Sequence, residues 1–244
     1  MTTLVQIIIA TGLVSMGSLI GIMTISFNRL VLQRFLINLV ALSAGTLLAG
    51  AFVHLLPESI EELGPQLPLA LTLFSFVGFF IVEKLLRWRH CHDEAHCEQH
   101  TMGYMNLLGD AIHNILDGIV IAGAFMTSTG LGIATTMAIV MHEVPQEIGD
   151  FGVLLHSGFS RAKALFFNLI VGITSVLGGI LGFYAAGHVE GLAPYLLPIA
   201  AGGFIYIAAS DLIPEMNKTT SWKRTLSIIA TFFVGVTLMF LIRK

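Results

Sequence analysis

Residues 131–156 read LGIATTMAIVMHEVPQEIGDFGVLLH, and residues 104–126 ahead of them read YMNLLGDAIHNILDGIVIAGAFM. Each stretch has the roughly 20-residue length that crosses a bilayer as a helix. Yet each holds ionisable groups near its centre: His113 and Asp117 in the first, His142, Glu143 and Glu147 in the second. The rest of the chain decides whether these are soluble-core or membrane segments. Of 244 residues, 55% are apolar and only 11% charged, with a mean hydropathy of +0.86. Soluble domains run at about 45–50% apolar and 25% charged, so an ordinary soluble domain is excluded. The net charge of −3 and the lack of a basic run exclude nucleic acid as a partner. Cys91 and Cys97 share one hydrophilic stretch with four histidines, unlike a secreted disulfide framework.

Working outward, apolar segments stand at Leu4–Ser26, Phe35–Leu56, Leu67–Leu86, Tyr104–Met126, Leu131–His156, Ala162–Ala186, Ala193–Pro214 and Trp222–Ile242. The fold class expected is an all-α polytopic membrane protein with eight transmembrane helices. No basic run precedes the first segment, which is too long for a cleaved signal peptide and is expected to remain as a helix. Lys and Arg gather in cytoplasmic loops. Here Arg29 and Arg34, then Lys84, Arg87 and Arg89, then Arg161 and Lys163, then Lys218, Lys223 and Arg224 fall on alternate loops. The intervening loops hold no basic residue, and one carries Glu58, Glu61 and Glu62. Both termini are therefore expected outside the cytoplasm.

An internal repeat is legible as well. His54-Leu55-Leu56-Pro57-Glu58 closes segment two, and Asp211-Leu212-Ile213-Pro214-Glu215 closes segment seven at the same offset that superposes Ala44-Gly45 on Ala201-Gly202 and Phe76-Val77-Gly78 on Phe233-Val234-Gly235. Segments one to three thus match six to eight, the alternative being coincidence of short motifs. An odd number of crossings separates equivalent segments, so the copies are expected upside down relative to each other. The layout is one transmembrane domain over 1–244 in a 3+2+3 arrangement. Repeat A spans 1–86, a His/Cys-rich cytoplasmic loop 87–103, the two polar segments 104–156, and repeat B 162–244. Inverted repeats of this kind mark transporters, with the substrate site near the midplane.

Positions i and i+4 of a helix share a face. His113 therefore stacks with Asp117, while His142, Gln146 and Asp150 form one stripe and Glu143 with Glu147 the next. The short turn Thr127-Ser128-Thr129-Gly130 brings both clusters to a similar depth. Ionised carboxylates at mid-membrane cost roughly 2.5–3.5 kcal/mol each, on the order of 8–10 kcal/mol for Asp117, Glu143 and Glu147 together. A divalent cation held by imidazole nitrogen and carboxylate oxygen offsets that cost, and this donor mixture suits Zn²⁺, Fe²⁺ or Mn²⁺ better than Cu⁺. Pro145 removes one helix hydrogen bond and crowds the carbonyl of Met141. The freed carbonyl is tolerable at membrane depth only where it lines a cavity or packs on protein. The competing reading, polar groups tying helices together, suits a lone histidine better than this density of ligand types.

These residues resemble the ZIP (zinc/iron permease) family of divalent-metal transporters, over essentially the whole chain. His113-Asn114-x-x-Asp117-Gly118 is similar to that family's fourth-helix signature, and His142-Glu143-x-Pro145-x-Glu147-x-Gly149-Asp150 to its fifth. The resemblance implies eight helices, termini outside, and a primary transport site of His113, Asp117, His142 and Gln146. It assigns Asn114, Glu143 and Glu147 to an adjacent second metal position or to the release step. It also implies movement of metal toward the cytoplasm, with Zn²⁺ or another divalent transition metal as substrate and no cofactor. Two departures stand out. Gln146 occupies a position where one large subfamily has a second His and other members have Glu, and segment six lacks a carboxylate that some relatives supply to a second metal.

Three further expectations concern the rest of the chain. His54 and Asp211, at matching positions of the two copies, are candidate way-stations of the path, or else structural partners of neighbouring helices. Asp150 is a further path candidate. His90, Cys91, His92, His96, Cys97 and His100 form a tract suited to weak cytoplasmic metal capture, with a plain solvated loop as the alternative. The protein is expected to be a carrier rather than an enzyme, moving Zn²⁺, and with it Fe²⁺, Mn²⁺ or Cd²⁺, across the plasma or inner membrane. Lipid and divalent metal are its expected partners, and a homodimer is left open. The rival classes are an intramembrane zinc metalloprotease, because His142-Glu143-x-x-Gln146 nearly reproduces His-Glu-x-x-His, and a metal-binding receptor without flux.

Overall fold

The computed structural model describes residues 2–20, 29–88, 99–188, 192–219 and 221–242. Among the described residues there is no strand, and the helices form rods compatible with eight crossings. Rod α1 is Thr3–Ile20, ending in a 3₁₀ turn at Gly17–Ile20. Rod α2 runs as an α-helix over Arg29–Ala49, a π-helical stretch over Gly50–Leu55 and an α-helical end over Leu56–Leu63. Then come α3 (Gln66–Trp88), α4 (Gln99–Thr127), α5 (Thr129–His156) and α6 (Arg161–Gly172 continued by Thr174–His188). Rod α7 is Ala193–Ile207, a π-helical stretch Ala208–Leu212 and Ile213–Asn217, and α8 is Trp222–Ile242. Seven of these are long and apolar enough to cross a membrane, whereas α5, at 28 residues, is set apart by its polar side chains. The expected first segment reached Ser26, and residues 21–28 lie outside the described residues.

The rods sort into two groups. One holds α1, α4, α5 and α6, the other α2, α3, α7 and α8, with α2 on α8 and α7 on α3 as the most extensive pairs of the second. Those pairs sit at the sequence offset noted above: segment two docks on segment eight, and segment seven on segment three. Glycine makes both dockings close. A Cβ on Gly45 would stand 2.2 Å from the Phe232 carbonyl oxygen, and one on Gly202 2.5 Å from that of Thr72. The offset recurs in a direct contact, since Ser15 Oγ donates to the Gly172 carbonyl, 157 residues away, at 2.6 Å. It recurs again in the backbone: both π-helical stretches lie just ahead of the repeated prolines, Pro57 and Pro214. Proline cannot donate, and its ring collides with the carbonyl four residues back, so a wider turn there removes the conflict.

Proline inside an α-helical stretch is handled differently. Pro145 frees the Met141 carbonyl, and Ser43 of α2 places its hydroxyl 2.5 Å from that oxygen. Pro198 frees the Pro194 carbonyl, which accepts from Ser59 Oγ at 2.9 Å. Packing on a neighbouring hydroxyl is how a bilayer-embedded backbone avoids an unpaired carbonyl. The main core gathers Ile7, Leu47, Ile121, Ala138, Leu197 and Phe204 between the groups. Only 11% of the α3 span and 17% of the α8 span is buried, against 56% for α2. Hence α3 and α8 are peripheral, and their exposed Phe74, Phe80, Phe233 and Phe240 suit contact with lipid.

Candidate metal centre

Ser128 alone separates α4 from α5. It takes extended backbone angles, and its Oγ accepts from the Leu131 amide at 3.1 Å, capping α5. The two helices are thereby an antiparallel hairpin, in which each step toward the N-terminus of α4 faces an equal step toward the C-terminus of α5. His113 consequently meets His142 and Glu143. One ligand atom from each of His113, Asp117, His142 and Glu143 lies within 4.8 Å of all the others.

The individual separations carry chemical information. His113 Nε2 is 3.1 Å from His142 Nε2 and 3.2 Å from Glu143 Oε1. His142 Nε2 is 3.2 Å from Asp117 Oδ2 and 3.3 Å from Glu143 Oε1, and His113 Nε2 is 3.8 Å from Asp117 Oδ2. Four ligands about 2.0–2.1 Å from one Zn²⁺ ion would lie roughly 3.3–3.4 Å apart at the corners of a tetrahedron. Asp117 Oδ2 and both Glu143 oxygens are buried and receive no hydrogen bond. Their lone pairs therefore remain for a shared cation. His142 Nδ1 lies 3.3 Å from the Ala138 carbonyl, an arrangement that puts the proton on Nδ1 and leaves Nε2 as the metal-facing nitrogen. Asp117, His142 and Glu143 are buried, and only His113 is partly open. The Phe204 ring lies against one side, its centre 6.1 Å from that of the His142 ring.

The remaining expected residues fall in several places. Gln146 is outside this set of four, its amide reaching Asp110 Oδ1 at 3.3 Å. Asn114, wholly buried, donates to the same oxygen at 2.9 Å. Glu147 turns toward α1, accepting from Ser18 Oγ at 2.8 Å, while Asn168 of α6 holds its backbone carbonyl. Asp150 accepts from Asn106 at 2.9 Å. Asp211 lines a cavity of about 270 Å³ together with His142, Gln146 and Pro145. His54 is directed elsewhere, its Nε2 2.8 Å from the Met239 carbonyl of α8. His90, Cys91, His92, His96 and Cys97, and the side chain of His100, lie outside the described residues.

Sequence reasoning missed Asp110, Asn106 and Ser18. The first two were open to detection, because Asn106, Asp110 and Asn114 repeat every four residues and extend the polar stripe of α4. Ser18 had no such signal, being a small hydroxyl in an apolar segment whose role depends on a partner in another helix.

Comparison with known proteins meets this geometry. The family profile described as ZIP Zinc transporter matches residues 89–243, which include both polar helices and α6 to α8. The chain belongs to the ZIP zinc transporter family. It is similar to Zinc transporter zipt-7.2 of Caenorhabditis elegans, 38% identical over 57% of this chain and 31% of that protein. It is similar to Zinc transporter YKE4 of Saccharomyces cerevisiae, at 29% identity over 82% of this chain and 69% of that protein. Zinc transporter ZIP13 of Pongo abelii is 32% identical over 84% of this chain and 66% of its own length. The chain thus spans about a third to two thirds of the curated relatives it matches. All three are named as zinc transporters rather than enzymes.

Proposed function

We propose that the chain carries Zn²⁺ across a cell membrane into the cytoplasm, binding it between α4 and α5 through His113, Asp117, His142 and Glu143. The observation that carries this reading is the convergence of two imidazole nitrogens and two carboxylate oxygens, all within 4.8 Å of one another, in a largely buried place. Fe²⁺, Mn²⁺ and Cd²⁺ accept the same donor mixture and are candidate competitors. Asn114 and Gln146 bond Asp110 one turn away from this position, Glu147 faces Ser18, and Asp150 bonds Asn106 further along. Asp211 shares a cavity with His142, which suits a role on the path, whereas His54 is occupied with α8.

The two groups of helices, built from repeats over 1–86 and 162–244 around 104–156, are the parts that rock against each other to expose the site to alternate sides. The Lys and Arg distribution sets the termini outside the plasma or inner membrane. The His/Cys tract then faces the cytoplasm, where it captures released metal. Purified full-length protein in sealed vesicles is expected to admit Zn²⁺, and His142→Ala and Asp117→Ala each to abolish that flux. Tight binding by folded wild-type protein with no flux of any divalent metal would overturn the carrier reading in favour of a receptor.

A further inference from the structure

The face of α5 that carries His142 continues in both directions along the helix. Positions i, i+7 and i+11 fall on one face, and Thr135, His142 and Gln146 hold that spacing. Thr135 stands about 10 Å of helix rise from His142, toward the turn that joins α4 to α5. The two directions differ in packing. At Gln146 the face borders the cavity that also holds Asp211, whereas around Thr135 it is packed shut. Ala134, Ala138 and Ile139, its neighbours on α5, all belong to the main core, together with Leu197 and Phe204 of the other helix group.

Within that packed region Thr135 is out of character. It is 2% exposed, and its Oγ1 has no hydrogen-bond partner. A threonine inside an apolar helix ordinarily returns its hydroxyl to the carbonyl three or four residues back. Thr11, Thr46, Thr127 and Thr136 all do so here, Thr136 Oγ1 lying 2.7 Å from the Gly132 carbonyl. The hydroxyl of Thr135 does not reach its own backbone and finds no partner in the core, a state that buried polar groups ordinarily avoid. Valine has nearly the same shape and would fill this place without an unpaired oxygen.

We propose that the Thr135 hydroxyl is a stepping point for the cation on the packed half of the transport path, lending its oxygen in place of one shell water as the ion passes between the α4–α5 turn and His142. The inference rests on the transport reading. On that reading the packed half must part in each cycle, because the cavity lies on the other side of His142. A path lined there by hydrocarbon alone would take water from a divalent ion and return no oxygen. The hydroxyl that is idle in the packed state thus acquires a partner when the helix groups separate.

The test compares the full chain as wild type, Thr135→Val and Thr135→Ser. Zn²⁺ entry into sealed vesicles, the visible absorption of Co²⁺ bound at the histidine-bearing cluster, and thermal unfolding are measured for each. Thr135→Val should cut the maximal Zn²⁺ flux about tenfold, the scale of losing a bond to a charged group. Its Co²⁺ band should be unchanged and its thermal midpoint equal to or above that of wild type, since an unpaired buried oxygen has been removed. Thr135→Ser, which keeps the hydroxyl, should restore most of the flux. Thr135→Ala serves the same comparison if Thr135→Val fails to fold. A role in packing alone predicts instead that flux falls with the thermal midpoint, and that result overturns the proposal, as does an equal loss of flux in Thr135→Ser. Wild-type flux in folded Thr135→Val sinks this inference and leaves the transport reading standing. A wild type that binds Co²⁺ yet passes no metal sinks the transport reading, and this inference with it.

Discussion

At the scale of single residues, Gln146 is the position where this chain departs most from a histidine-rich site. It stands one turn after His142 on the same face and touches the same cavity, yet its amide is directed at Asp110. An imidazole there would add a borderline nitrogen donor beside the His113–Asp117–His142–Glu143 cluster and remove a donor from Asp110. Gln146→His is therefore expected to raise the preference for Zn²⁺ over Mn²⁺ by about tenfold, equal to ~1.4 kcal/mol. Competition of Mn²⁺ against Zn²⁺ in the vesicle assay measures it, and an unchanged ratio would show that Gln146 does not shape metal choice. His113 and Asp117 were legible as a pair from their four-residue spacing alone. Which carboxylate of the fifth segment would join them was not: Glu143 and Glu147 have the same spacing logic, and only the rotation of α5 against α1 sends Glu147 to Ser18.

At the scale of elements, the interior proline of α5 and the hydroxyl on α2 act as one device. Ser43→Ala leaves the Met141 carbonyl buried without a donor, at a cost of about 1–3 kcal/mol. In a Pro145→Ala background the restored amide N–H supplies that bond from within the helix, so the same Ser43→Ala change should cost less than about 0.5 kcal/mol, near the additivity limit. Thermal unfolding of the four proteins of this cycle in detergent decides it, and equal costs in the two backgrounds would refute the coupling. The freed carbonyl was predictable from Pro145, since the ring chemistry is local. Its partner was not, because Ser43 is 98 residues away and belongs to the other group of helices.

At the scale of the whole molecule, the two helix groups meet where Gly50 of α2 faces Ala138 of α5. A Cβ at Gly50 would lie 3.6 Å from the Ala138 Cβ, within the separation a disulfide requires. The Gly50→Cys, Ala138→Cys pair, with Cys91 and Cys97 replaced by Ser, should therefore lock the groups together on oxidation. Metal binding should persist, Zn²⁺ flux should stop, and reduction should restore it. Full flux through the oxidised protein would show that these groups do not move apart during transport. What the sequence alone determined about this protein was whatever depends on local chemistry and period. That covers its membrane class, the approximate places of its apolar helices, the repeated motifs at one offset, and the ligand types at four-residue spacing. The helix ends differ: the second rod runs over residues 29–63 against Phe35–Leu56 expected, and the fourth starts at Gln99, inside the expected 87–103 loop. What only the tertiary structure decided was rotation and partnership: which of several polar faces turn inward, that Asp110 and Asp150 extend the polar track, that His54 is held by α8, and that Ser43 covers a carbonyl. Those follow from side-chain packing between helices distant in the chain, and no local pattern encodes the angle at which two such helices meet.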